Sequence, residues 1–120
     1  MTVLINDLRQ ARADKLKEKV QDVGNYVELC LSRLPKTAEE IADVLAESGT
    51  RGGKRDSDNP IVQWADNLPL FGGNYSFTTR KGKHLSSDFG SDWRLQVTLP
   101  EAVVDFLERF MADEFPGLSW

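Results

Sequence analysis

The stretch closest to a reactive motif is Gly49-Thr50-Arg51-Gly52-Gly53-Lys54-Arg55. A phosphate-cradling loop needs four residues between its glycines and a Ser or Thr after the lysine to reach magnesium. Here three residues intervene, Arg55 follows Lys54, and the segment comes after a helical pattern rather than a strand. Asp56-Ser57-Asp58-Asn59-Pro60 has the alternating carboxylates of a calcium loop. The glycine and the closing glutamate such a loop requires are replaced by Ile61 and Asn67. Asp88-Phe89-Gly90 spells a kinase magnesium motif, without the catalytic-loop pattern that must accompany it. His84 is the sole histidine and Cys30 the sole cysteine, so no His/Cys metal set and no internal disulfide can be assembled. Cys30 falls on the apolar stripe of a helix and reads as a small buried hydrophobe. Glu39, Glu40, Asp43 and Glu47 have the spacing of a solvated helix face. Nothing here makes an active site or calls for a cofactor, and we read the chain as non-enzymatic.

Charge distribution is more informative. The 120 residues carry a net charge of −4, which works against nonspecific attraction to nucleic acid or anionic membrane. Yet residues 51–84 hold six Lys or Arg against three acids, while residues 99–120 hold one base, Arg109, against five acids. Arg51, Lys54 and Arg55 lie in a Gly-rich loop, and Arg80, Lys81 and Lys83 lie around a turn. Together with the aromatic end, Trp120, these are the candidate partner-binding residues.

The elements that must position them follow from periodicity. Leu16, Val20, Val23, Val27, Cys30 or Leu31, and Leu34 keep helical spacing, giving one long helix or two with a bend at Gly24, closed by Pro35. Residues 1–13 carry a thinner stripe and read as a loosely attached arm. Thr37 and Glu40 form a capping box for a helix over 38–48 that buries Ile41, Ala42 and Val44 or Leu45, with Gly49 ending it. A loop over 50–58 leads to Asn59 as cap and Pro60 at the first position of a third helix, with Ile61, Trp64 and Ala65 inward. The period then changes to two. Tyr75, Phe77 and Thr79 alternate, Lys81-Gly82-Lys83 turns, and Leu85 starts a return strand. Residues 86–92 read as a loop before the alternating strand of Trp93, Leu95, Val97 and Leu99. Thr98 and Glu101 repeat the capping-box pattern, and the last helix buries Val103 or Val104, Phe106, Leu107 and Phe110. The tail 114–120, with Phe115, Leu118 and Trp120, is apolar enough to fold back on the core, or else to make a homodimer or partner contact. The expected fold is α+β and mainly helical, in a single domain over 1–120: three N-terminal helices, a small antiparallel sheet and a C-terminal helix.

Thr37-Ala38-Glu39-Glu40-Ile41-Ala42-Asp43-Val44-Leu45 resembles the second helix of winged-helix proteins. That resemblance implies a recognition helix at 60–67, a wing over 74–98 and a trailing dimerisation helix at 101–113. It departs from the family in the long loop 49–58, and in a recognition helix without Arg or Lys, where only Gln63 and Asn67 could read base edges. The capped helix, basic glycine loop, Pro60–Trp64 segment and closing helix also resemble small bacterial and phage proteins, a likeness that implies no mechanism.

The sequence shows no signal-peptide pattern at its start and no apolar run long enough to span a membrane, so a cytoplasmic protein without membrane attachment is expected. The functional expectation is a binding or regulatory module, a phage or mobile-element accessory protein, acting on a protein partner. The alternative is a winged-helix-like DNA-binding regulator using the basic loop 51–55 and the hairpin 80–84.

Overall fold

Helical periodicity becomes real helices in a computed structural model that describes residues 18–69, 76–89 and 93–120. The arm at 1–13, Tyr75 and the Trp93 side chain lie outside what is described. The first helix, α1, covers residues 18–32 and turns its Val23, Val27 and Leu31 into the core, with Leu34 following. It does not break at Gly24. A Cβ there would stand 2.8 Å from Leu95 Cδ1, so the missing side chain marks where the sheet packs against the helix. Leu31, not Cys30, takes the buried position. Cys30 is half-buried beside the Tyr26 hydroxyl, whose pKa is raised by hydrogen bonding to the thiol.

Helix α2 (Ala38–Glu47) begins where Thr37 Oγ1 accepts the Glu40 N–H at 3.3 Å. Its inward residues are Ala38, Ile41, Ala42 and Leu45, while Val44 turns outward. The helix closes as a Schellman motif: Gly49 at φ 73° bonds back to Ala46, and the Thr50 N–H reaches the Leu45 carbonyl at 2.9 Å. Helix α3 (Pro60–Asp66) is short, capped by Asn59, and buries Pro60, Ile61, Val62 and Ala65. Val62 occupies the inward place expected of Trp64, which is only half-buried at the core's edge. At three to four residues per turn, Ile61, Val62 and Ala65 define the deeper stripe.

The strands β1 (Thr78–Arg80), β2 (His84–Phe89) and β3 (Trp93–Thr98) form an antiparallel meander in the order β1-β2-β3. Residues 86–89 are therefore strand, not loop. The Ser-Ser-Asp run lacks apolar alternation, but its backbone pairs Ser86 with Gln96, Ser87 with Leu95 and Asp88 with Arg94. Ser86 and Ser87 are buried, and Ser86 Oγ accepts the Arg80 Nε–H at 3.0 Å. On β3, Leu95 and Val97 face the core while Arg94, Gln96 and Thr98 face out.

Helix α4 (Glu101–Met111) buries Val103, Phe106, Leu107 and Phe110. The second capping box does not form: Thr98 stays in β3 opposite His84, so Pro100 precedes the helix with no side-chain cap. After Met111 the chain makes another Schellman motif. The Asp113 N–H bonds to the Phe110 carbonyl at 3.1 Å, and the Glu114 N–H bonds to the Arg109 carbonyl at 3.0 Å. Phe115 stacks on Phe106 with ring centroids 5.4 Å apart, and Leu118 is buried at the end of a 3₁₀ turn (Pro116–Leu118). The tail thus folds back on the core. Each fully buried aliphatic or aromatic side chain, such as Val27, Ile41, Leu45 or Phe106, contributes about 1.5–3 kcal/mol relative to exposure.

Candidate functional site: a basic groove between a pinned loop and a hairpin turn

The loop at 50–58 is tied at both ends and in the middle. Gly52 donates its N–H to Leu118 O at 2.9 Å and accepts the Trp120 N–H at 3.3 Å, a parallel bridge that joins loop to tail. A Cβ on Gly52 would sit 2.4 Å from the Asp58 carbonyl oxygen, so only glycine allows the chain to double back here. Asp58 Oδ1 accepts the Arg55 N–H at 2.9 Å, and Gly53 donates to Asp58 O at 2.9 Å. The loop's far side covers the edge of β1, where the Thr79 N–H meets Asp56 O at 2.9 Å.

A buried polar chain fixes this arrangement. Asn59 is 0% exposed; its Oδ1 accepts the Val62 N–H at 3.0 Å. Its Nδ2 donates to Arg55 O at 3.2 Å and to Thr79 Oγ1 at 3.0 Å, and that hydroxyl donates onward to Asp56 Oδ1 at 2.9 Å. The buried members, Asn59 and Thr79, have partners for their side-chain polar atoms, as burial demands, and the relay ends on exposed Asp56. Asn59 was expected as a helix cap; its second function, holding loop and strand together, depends on Thr79 twenty residues away.

The hairpin turn approaches from the other side. Lys81 (φ 56°) and Gly82 (φ 65°) are both left-handed, and the Lys83 N–H closes on Arg80 O at 3.0 Å, which is type I′ geometry. Lys54, Arg55 and Lys81 thereby come to line one depression of about 630 Å³. Thr79, Leu107 and Met111 contribute its less exposed walls, and Asp56 and Glu108 its carboxylates.

The other predicted residues take different places. Arg80 bonds to Ser86. Lys83 lines a neighbouring depression of about 360 Å³ with Glu101, Asp105 and Glu108. Arg51 flanks the Gly52 bridge, and Trp120 beyond it is 67% exposed. Lys54 Nζ pairs with Asp113. Among the described residues, the side chains of Arg51, Arg55, Lys81 and Lys83 have no hydrogen bond or ion pair. Leu107 and Met111 were legible as helix residues but not as groove residues, because the signal that places them there is the packing of α4 against the loop.

Arg109, the lone base of the acidic end, is committed elsewhere. Its guanidinium pairs with Glu39 of α2, lies 3.3 Å from Glu114 and 3.8 Å from Asp105, and sits 5.2 Å from the Phe115 ring centroid. The hydrogen bond from Arg109 holds the Glu39 carboxyl below its usual range. Asp66 moves the other way: burial raises its pKa, partly offset by the Phe77 N–H it accepts at 3.0 Å.

Helix α3 offers little free surface. Gln63 donates to Asp58 O at 3.4 Å and Asn67 to Gln63 O at 2.9 Å. Among the described residues no group of His, Cys, Asp and Glu is placed to hold a metal ion, and no helix is long and apolar enough to cross a membrane. No protein family, curated protein or solved structure matches this chain.

Proposed function

We propose that this is a non-enzymatic binding module that docks a protein partner in the groove between the basic loop and the hairpin turn. The observation that carries the reading is convergence: Lys54 and Arg55 meet Lys81, far along the chain, over Leu107 and Met111. A loop tied by backbone bonds and by a relay from buried Asn59 and Thr79 to Asp56 also loses little conformational entropy when a partner binds, which favours recognition over mere connection. A cytoplasmic setting accords with Cys30 being the only cysteine.

Reversing Arg51, Lys54 and Arg55 together to Glu tests it. These side chains are exposed, and the Lys54–Asp113 pair is a surface pair, so unfolding free energy should stay within about 1 kcal/mol of wild type. Binding to a partner recovered from the native cell should be lost. The wild-type protein titrated with random duplex DNA across a salt series should show no steep salt dependence. A steep slope, abolished by the triple reversal, would instead favour the DNA-binding regulator.

A further inference from the structure

We infer that the groove receives an extended acidic peptide segment, whose carboxylate replaces Asp113 on Lys54 while an apolar side chain settles against Leu107 and Met111. This rests on the groove being the docking site.

Asp113 is the starting point. It occupies the left-handed position that closes α4, at φ 64°, where glycine or asparagine is the usual occupant. Its carboxylate pairs with Lys54, so one cation of the groove already carries an anion supplied by the protein itself. The pair is open to competition, with side-chain exposures of 38% for Lys54 and 76% for Asp113. Exchanging one carboxylate for another on Lys54 leaves the number of ion pairs unchanged. Net affinity must therefore come from the groups that have no partner, Arg55 and Lys81, and from the apolar wall. The arginine fork suits a carboxylate held by two hydrogen bonds.

The carboxylates in the groove decide between a peptide and a nucleic acid. Asp56 and Glu108 line the same depression as the three cations, and Glu101, Asp105 and Glu108 line the next one along α4. A phosphate backbone carries charge at every residue and would run against these acids. A peptide can place a carboxylate beside Arg55 and Lys81 and an uncharged residue beside Glu108.

The test is selection of short random peptides displayed against the full chain, followed by titration of the best binder, synthesised with a fluorescent label. Selected peptides should be enriched in Asp or Glu next to Leu, Ile, Met or Phe. Lys81→Glu replaces an attractive charge beside the peptide's carboxylate with a repulsive one and should weaken the labelled peptide about tenfold or more at low salt. Asp113→Asn keeps a residue that tolerates positive φ, removes the competing charge, and should tighten binding about two- to fivefold. Glu114→Gln removes the same charge one residue on, from the Arg109 cluster, and should change little. In a Lys54→Ala background the gain from Asp113→Asn should vanish; melting curves confirm that each variant is folded. Persistence of that gain without Lys54 would overturn the competition. Selected peptides without acids that still lose binding on Lys81→Glu or Arg55→Glu would overturn the acidic occupant and leave the groove as the docking site. Peptides insensitive to both reversals would overturn the groove itself.

Discussion

Arg109 and Arg55 carry the same guanidinium near opposite faces of α4, and they have opposite fates. Arg109 sits two residues from both Leu107 and Met111, which turns it about 200° around the helix from the groove they line. It faces Glu39, Asp105, Glu114 and the Phe115 ring, every one of them from this chain. Arg55 stands at the groove with its backbone tied to Asp58 and Asn59 and its side chain unpartnered. The difference lies in neighbours, not in residue type. Where the fold supplies several carboxylates to one cation, that cation holds the structure together. Where the fold fixes the backbone and leaves the side chain free, the cation is available to something else.

The sharpest way to break this comparison is through the root of the groove rather than its rim. Asn59→Ala removes the cap of α3, stranding the buried Val62 N–H, and takes away the amide that donates to the Thr79 hydroxyl, while the Arg55 carbonyl keeps the backbone N–H groups of residues 58 and 59. Losing a cap costs about 1 kcal/mol and stranding a buried polar group about 1–3 kcal/mol, so a total near 2–3 kcal/mol is expected from urea unfolding. The loss should exceed that of any single substitution among Arg51, Arg55, Lys81 and Lys83. If Asn59→Ala is no worse than those, the loop is not held by its buried relay and the argument for a preorganised groove fails.

A smaller effect is expected at Arg109. Arg109→Met keeps an unbranched side chain in contact with Phe115 but loses the links to Glu39 and Glu114. The melting temperature should fall by a few degrees, and less at high salt, where exposed pairs contribute little in either protein. Arg55→Met should not shift it measurably. Equal shifts for the two would mean that the two arginines are not differently used.

How much of this was legible in the sequence depends on the range of the interaction involved. The Thr37 and Asn59 caps, the Gly49 stop and the Lys81-Gly82 turn are set within a few residues, and each was readable from local spacing. So was the alternation that buries Leu95 and Val97. The errors came where a distant partner overrides local pattern. Ser86 and Ser87 look like loop until β1 and β3 flank them, and Thr98 looks like a cap until pairing with His84 keeps it in a strand. At Gly24 the sequence left one long helix or a bend open, and the packing of Leu95 onto an unbroken helix decides for the first. For the candidate site, the charge asymmetry pointed to the basic loop and the turn; of those residues Lys54, Arg55 and Lys81 line one depression, while Arg51, Arg80, Lys83 and Trp120 lie elsewhere. Asp113 on Lys54 and the Leu107–Met111 wall were not legible, because they depend on how α4 lies against the loop.

The smallest expected effect, and the most specific, is in the acid limb of stability, where two carboxylates of this fold pull in opposite directions. Glu39 has its pKa lowered chiefly by the hydrogen bond from Arg109. A depressed folded-state pKa gives stability that is present above the unfolded-state value and is lost as pH falls through the folded one. Asp66 has its pKa raised by burial, with the Phe77 N–H opposing the shift. A raised carboxyl weakens the folded state once both states are ionised, and that penalty is relieved as pH falls through the raised value toward the unfolded one. On acidification, then, Asp66 gives stability back as pH falls through its raised value, while Glu39 loses it as pH falls through its lowered one. Asp66→Asn keeps an oxygen to accept from Phe77 but removes the titration, so melting temperature at neutral pH should hold or rise slightly. Its decline should then begin at a higher pH than in wild type. Glu39→Gln should do the reverse, lowering the neutral value and flattening the acid limb, and Arg109→Met should reproduce that flattening because it removes the cause of the Glu39 shift. Melting temperatures measured from neutral pH down to about 3 at low ionic strength decide the matter, since added salt screens the exposed Glu39–Arg109 pair. An acid limb for Glu39→Gln that overlays wild type would mean that the Arg109 cluster carries no pH-dependent stability. The two arginines would then differ in their contacts without differing in their energetics.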